Sequence, residues 1–166
     1  MNRQIFFIGL VFILGCRSSM NAETKQFVNH DYGFFLSYPS GWIENTESLP
    51  QKWAIVDKEQ NAILVVIDDH SQNMTLQDWM NNQVMMDLNV REIDNVNSVI
   101  KRIDIDKREW LSYAIDYSAK DTKALVSATL CNATIINIVL VSKNNVFEAN
   151  KQVFLSMLKE FQCQAS

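Results

Sequence analysis

Residues 33–42 read Gly33-Phe34-Phe35-Leu36-Ser37-Tyr38-Pro39-Ser40-Gly41-Trp42. From Gly33 to Tyr38 large apolar and smaller residues alternate as in a strand, and Pro39-Ser40-Gly41 then breaks it sharply. Proline removes a ladder donor, and Gly41 is free to take the positive φ that would turn the chain back. Trp42 falls where a large ring can cover the end of a core. The stretch reads as a corner of a fold, not as a piece of chemistry.

Upstream, Met1-Asn2-Arg3 precedes ten mostly apolar residues, Ile5 to Leu14, and then Gly15-Cys16. Ten helical residues rise about 15 Å, half of the roughly 30 Å hydrocarbon core, which suits a signal peptide and not a membrane span. The small Gly15 before Cys16 resembles the lipobox of bacterial lipoproteins, in which the Cys receives diacylglycerol and becomes the first mature residue. Residues 1–15 are therefore expected to be a leader, with Cys16 lipidated; an ordinary secretory signal with a free Cys16 thiol is the alternative. Two or three acyl chains hold a protein stably on a membrane, at about 0.8 kcal/mol per buried methylene. Arg17, where some sorting systems place Asp, points to the outer membrane, facing the periplasm. Residues 16–26, which include the polar run RSSMNAETKQ, read as lipidated Cys and tether, leaving 27–163 as one domain.

Downstream, Lys52 to Asp57 and Ala62 to Asp68 read as strands, and their continuous apolar runs suggest burial on both faces. Thr75-Leu76-Gln77-Asp78 is a capping-box-like helix start. Behind it Leu76, Trp79, Met80, Val84 and Leu88 fall at helical spacing. Strands are expected at Ser98 to Ile105, Glu109 to Ser118, Lys123 to Cys131 and Thr134 to Ser142. In the second of these Leu111, Tyr113, Ile115 and Tyr117 share one face, with Ser112, Ala114 and Asp116 on the other. Four such strands joined by short polar turns imply an antiparallel meander. A helix from about Asn145 to Phe161 closes the chain, burying Phe147, Phe154, Met157, Leu158 and Phe161. The fold class is α+β: an antiparallel sheet with helices on both faces, an α/β/α sandwich.

Without the leader and its Arg3, 14 basic residues face 19 acidic ones, a net charge of −5, where the whole chain carries 15 and 19. Lys101-Arg102 and Lys107-Arg108 are interleaved with Asp104, Asp106 and Glu109. No nucleic-acid partner is expected from such a surface. Past the leader, Gly33 and Gly41 are the remaining glycines, too few for a phosphate-cradling loop, and no cofactor is expected.

The histidines are His30 and His70. Asp68-Asp69-His70 offers metal-ligand types, but strand neighbours point to opposite faces, so only Asp68 and His70 would converge and no metal site is expected. Asp104-Ile105-Asp106 opens like a calcium loop but lacks the Gly and bidentate Glu that should follow. No serine sits in a nucleophile elbow, so no catalytic residues are assigned and the chain is not expected to be an enzyme. With Cys16 lipidated, Cys131 and Cys163 leave an even pair that an oxidising compartment would bridge. A buried Cys131 thiol and a frayed tail at Cys163 is the other reading. Met85-Met86 is either an adaptable binding surface or core filler, the latter being the commoner use.

Residues 33–42 and the order of elements after them resemble the PsbP-like superfamily, loosely Gly-aromatic-x-aliphatic-x-Tyr-Pro-x-Gly-Trp. Its members include a photosystem II extrinsic subunit, a nuclear import factor that binds a small GTPase, chaperones of secreted bacterial effectors and many bacterial lipoproteins. The resemblance implies structural roles for Gly33, Tyr38, Pro39, Gly41 and Trp42, and a habit of docking onto larger partners. The chain departs from it at Asp106-Lys107-Arg108, where relatives often carry a turn Gly, and at Glu160-Phe161, where they have Ser-Phe. A non-enzymatic envelope lipoprotein that binds another protein is the expectation. The alternative is a small-ligand carrier with a helix–sheet pocket lined by Trp79, Met80 and the aromatic face of the meander; a hydrolase is a third reading with less behind it.

Overall fold

A computed structural model describes residues 23–45, 52–68, 74–88, 95–105, 107–117 and 120–164, with only the backbone of 95–98. The leader, Cys16, Asp69, His70 and Asp106 lie outside these residues.

Strands β1 (Thr24–Asn29), β2 (Phe34–Pro39) and β10 (Gln162–Cys163) form a small sheet in the order β1-β2-β10. A seven-stranded sheet contains β3 (Ile43–Glu44), β4 (Lys52–Val56), β5 (Ala62–Asp68), β6 (Asn95–Ile105), β7 (Arg108–Tyr117), β8 (Thr122–Cys131) and β9 (Thr134–Lys143). Its order is β3-β4-β5-β9-β8-β7-β6 and every pair is antiparallel. The meander β6 to β9 thus joins the early strands through its last member. Helix α1 (Leu76–Leu88) follows β5, and α2 (Phe147–Glu160) follows β9 through a 3-10 turn at Asn144–Val146.

The alternation of side chains along β7 divides the core in two. Leu111, Tyr113 and Ile115 pack with Leu76, Trp79, Met80 and Val84 of α1. Trp110 belongs to the opposite cluster, with Phe147, Phe154, Met157 and Leu158 of α2 and Phe161 beyond it. Helices therefore cover both faces, as expected for an α/β/α sandwich. On the α2 face the small sheet lies over the β4–β5 half, where Phe27 stacks on Trp53 with ring centroids 4.2 Å apart.

Local chemistry explains the boundaries. Thr75 Oγ1 accepts from the Asp78 backbone N–H at 3.1 Å and donates to Asp78 Oδ2 at 2.6 Å, closing the first turn of α1. The Asp57 carboxylate accepts from Glu59 N–H, Asn61 N–H and Asn61 Nδ2, at 2.8, 2.9 and 2.7 Å, which shapes the β4–β5 turn. The β8–β9 hairpin turns through Asn132 and Ala133 at φ 50° and 64°, the two positive values of a tight primed turn. Lys107, at φ 66°, supplies a positive φ in the turn between β6 and β7.

Four expectations change. Strand β1 begins at Thr24, and Thr24–Gln26 pair with Ser37–Pro39, so the last three residues given to the tether belong to a sheet. Strands β4 and β5 are not buried on both faces: Trp53, Ile55, Ile63 and Val65 are buried, while Ala54, Val56, Leu64 and Val66 are half-buried. The reason is that α1 rests on β6, β7 and β8, and among the described residues no helix packs over the β4–β5 end on that face. Gly41 has no positive φ; that conformation belongs to Gly33, at φ 62°. Leu88, placed on the buried stripe of α1, is 50% exposed.

Candidate functional site

The residues of the opening stretch gather at one corner. Leu36 and Tyr38 point into the core beside Phe34, and the Trp42 N–H donates to the Pro39 carbonyl at 3.0 Å, closing a turn that tucks Trp42 under the sheet. Tyr38 donates its hydroxyl to Glu44 Oε1. Burial first, then that hydrogen bond and the Glu44 charge, push the Tyr38 phenol up to about 12. Asn29 Oδ1 accepts from the Tyr32 N–H at 3.1 Å and bends the chain into Gly33. A Cβ on Gly33 would lie 3.0 Å from Asn132 Nδ2, because the β8–β9 hairpin and the C-terminal tail converge there. The Gln164 N–H donates to the Gly33 carbonyl at 2.7 Å, and Asn132 Nδ2 donates to the Gln164 carbonyl at 3.0 Å. These residues build the fold.

Cys131 and Cys163 are joined as a disulfide, with Cα atoms 5.7 Å apart, which lies within the usual span. Beside it Arg108 donates from Nη1 to the Leu130 carbonyl at 3.0 Å and sits 5.2 Å above the Phe161 ring. Burial lowers the Arg108 pKa. The corner ties the end of the chain to the meander.

The residues weighed for chemistry do not converge. His30 is exposed in the β1–β2 turn. Asp68 Oδ2 accepts from Trp79 Nε1 at 2.7 Å, which gives it a structural role at the foot of α1. No group of three His, Cys, Asp or Glu that could hold a metal occurs among the described residues. Trp79 and Met80, the proposed pocket lining, are 5% and 0% exposed and fill the α1–sheet interface. At its far end Tyr113 donates its hydroxyl to Asp87 Oδ2 at 2.5 Å, and burial with the Asp87 contact raises the Tyr113 pKa.

Two surfaces stand out. Met85, Met86 and Leu88 are 59, 58 and 50% exposed, so the methionine pair is not core filler. With Val84 buried beneath them and Asp87 turned to Tyr113, the last turn of α1 exposes three large apolar side chains, which leaves hydrophobic surface in water.

The second surface is a trough on the α2 face. Along β7 the side chains on that face shrink from Trp110 to Ser112 and Ala114, so the floor sinks away from α2. Phe147, Lys151 and Leu155, one stripe of α2 at four-residue spacing, form one wall; Val99, Lys101 and Ile103 of β6 form the other. Between Asn97 and Lys101 strand β6 bulges, setting three residues against Tyr113 alone. The cleft spans about 610 Å³, counting space open to solvent. At its upper end lie Asp116, Lys123 and Glu148. The sequence carried a signal for this site, the small residues Ser112 and Ala114 on one face of a strand, but not the position of α2 beside them.

No family model and no curated protein matches the sequence. Among solved structures, cyanobacterial PsbP from Synechocystis superposes with a TM-score of 0.59 at 18% identity, covering 91% of this chain and 98% of that one. A Bacteroides thetaiotaomicron protein gives 0.59 at 11% identity over 86% of this chain, which spans 49% of that longer chain. A Pseudomonas aeruginosa protein of unknown function gives 0.53 at 10% identity, covering 86% and 99%. The core clusters, the corner at residues 33–42 and these superpositions agree: the chain has the PsbP-like fold.

Proposed function

We propose that the protein is a non-enzymatic accessory factor, anchored to the bacterial envelope through lipidated Cys16, that docks onto another envelope protein. The observation that carries the reading is the apolar last turn of α1, where Met85, Met86 and Leu88 stand more than 40% exposed. Methionine side chains are flexible and polarisable, and adapt to a partner's apolar ridges. The matched partner is a protein with an apolar helix or groove exposed at the membrane face.

A photo-crosslinker placed at Met85 in cells tests this. One adduct of defined mass is expected, absent when the crosslinker sits at exposed Gln77 and reduced at least fivefold by Met86→Glu. Equal yields at both positions, or no adduct at Met85, would overturn the reading.

A further inference from the structure

Strand β6 and helix α2 stand apart because α2 packs on β2 and β9, not on the edge of the sheet. The trough between them is lined by Val99, Ile103, Leu125 and Leu155 over a floor of Ser112 and Ala114, with Lys101 and Lys151 as its charged residues. Ser112 Oγ and Ser127 Oγ share one hydrogen bond at 2.7 Å beneath the trough. Val99 is 61% exposed on the rim. Lys151 reaches Glu148 at 3.2 Å, and no ion pair within 4.0 Å is formed by Lys101 or Lys123 among the described residues. In a chain of net charge −4, an apolar trough whose charged residues are lysines is complementary to an anionic head on a hydrocarbon chain. Asp116 and Glu148 lie at the upper end and Glu148 already neutralises Lys151, so Lys101 is the lining charge left for that head.

We propose that this trough binds a long-chain carboxylate, its head at Lys101 and its chain along Ile103, Leu125 and Leu155. The site lies on the face opposite α1 and is independent of the docking surface there. Lysine stems also cover apolar surface while their ammonium groups stay in water, so Lys101 can close over the chain and hold the carboxylate at the rim.

The test uses the full-length protein in lipid nanodiscs and a palmitate analogue with a diazirine at its chain end. Photolysis is expected to label residues 99–103 and 147–155, as mapped by mass spectrometry. Excess palmitate should compete, and hexadecanol, which lacks the charge, should compete about fivefold more weakly. Lys101→Glu should lower labelling about fivefold, as expected for losing an exposed charge pair, with an unchanged melting temperature. Should that variant unfold, Ala114→Leu, which raises the floor, is expected to lower labelling in the same peptides. Labelling that does not saturate, that falls only on the N-terminal residues, that hexadecanol displaces as well as palmitate does, or that survives in the folded variants would overturn the proposal.

Discussion

Gly33 and Gly41 stand eight residues apart and answer to different physics. Gly33 holds φ 62° with Asn132 and Gln164 pressed against it, whereas a Cβ on Gly41 would meet nothing within 4 Å and its φ is not positive. Gly33→Ala is expected to cost about 1–2 kcal/mol from left-handed backbone strain, and Gly41→Ala to stay within about 0.5 kcal/mol. Chemical denaturation of both variants checks this; equal losses would show that the corner is held differently. In the sequence alone the positive φ falls to Gly41 and Gly33 stands at the head of a strand, because Gly33's conformation depends on the tail that folds back at residue 164. Tyr38 supplies a pH prediction. An unfolded tyrosine titrates near 10, and folding pushes Tyr38 up to about 12, so folding favours the neutral phenol. That contribution is complete below pH about 10 and is lost as pH rises through about 12. Tyr38→Phe cannot ionise, and its stability should fall less steeply over that interval than that of the wild type. Superimposable alkaline curves would contradict the assignment.

Periodicity and caps carried the elements. Thr75 begins α1 through its own side chain, Phe154, Met157 and Leu158 define the buried side of α2, and the alternation in β7 sorts its residues onto the two faces as read. Short strands were not legible: β1 carries Thr24-Lys25-Gln26, polar residues that pair because β2 offers an edge, and β10 has two residues held by tertiary contacts. Leu88 fits the helical period yet falls where the sheet no longer reaches it. The disulfide belongs to this scale, since it fastens β10 to the end of β8 across 32 residues of sequence. Closing such a loop contributes about 3.5 kcal/mol in the chain-entropy description. Cys163→Ser is expected to lose roughly that amount in denaturant, with early hydrogen exchange at Gln162–Gln164. Two alkylatable thiols in the unreduced protein, or an unchanged denaturation midpoint on reduction, would refute the bridge.

At the scale of the molecule, α1 and α2 shield unequal parts of the sheet. The α2 face is divided among the small sheet, α2 and an open trough, while the opposite face is covered by α1 over β6 to β8 and left half-buried at β4 and β5. A fold class could be read from four strands between two helices, because their order restricts the packings available. The sequence leaves Met85-Met86 as either a binding surface or core filler and does not show the trough at all, since each depends on where a helix stops short of the sheet. Their proposed uses, a protein partner at α1 and a carboxylate beside α2, both suit a protein held at a membrane. That attachment is the central claim, and one measurement addresses it directly: growth with an alkyne-tagged fatty acid, followed by click detection of the protein in membrane and soluble fractions. The account predicts a labelled protein in the membrane fraction and loss of the label in Cys16→Ser. An unlabelled wild-type protein recovered from the soluble fraction would contradict it.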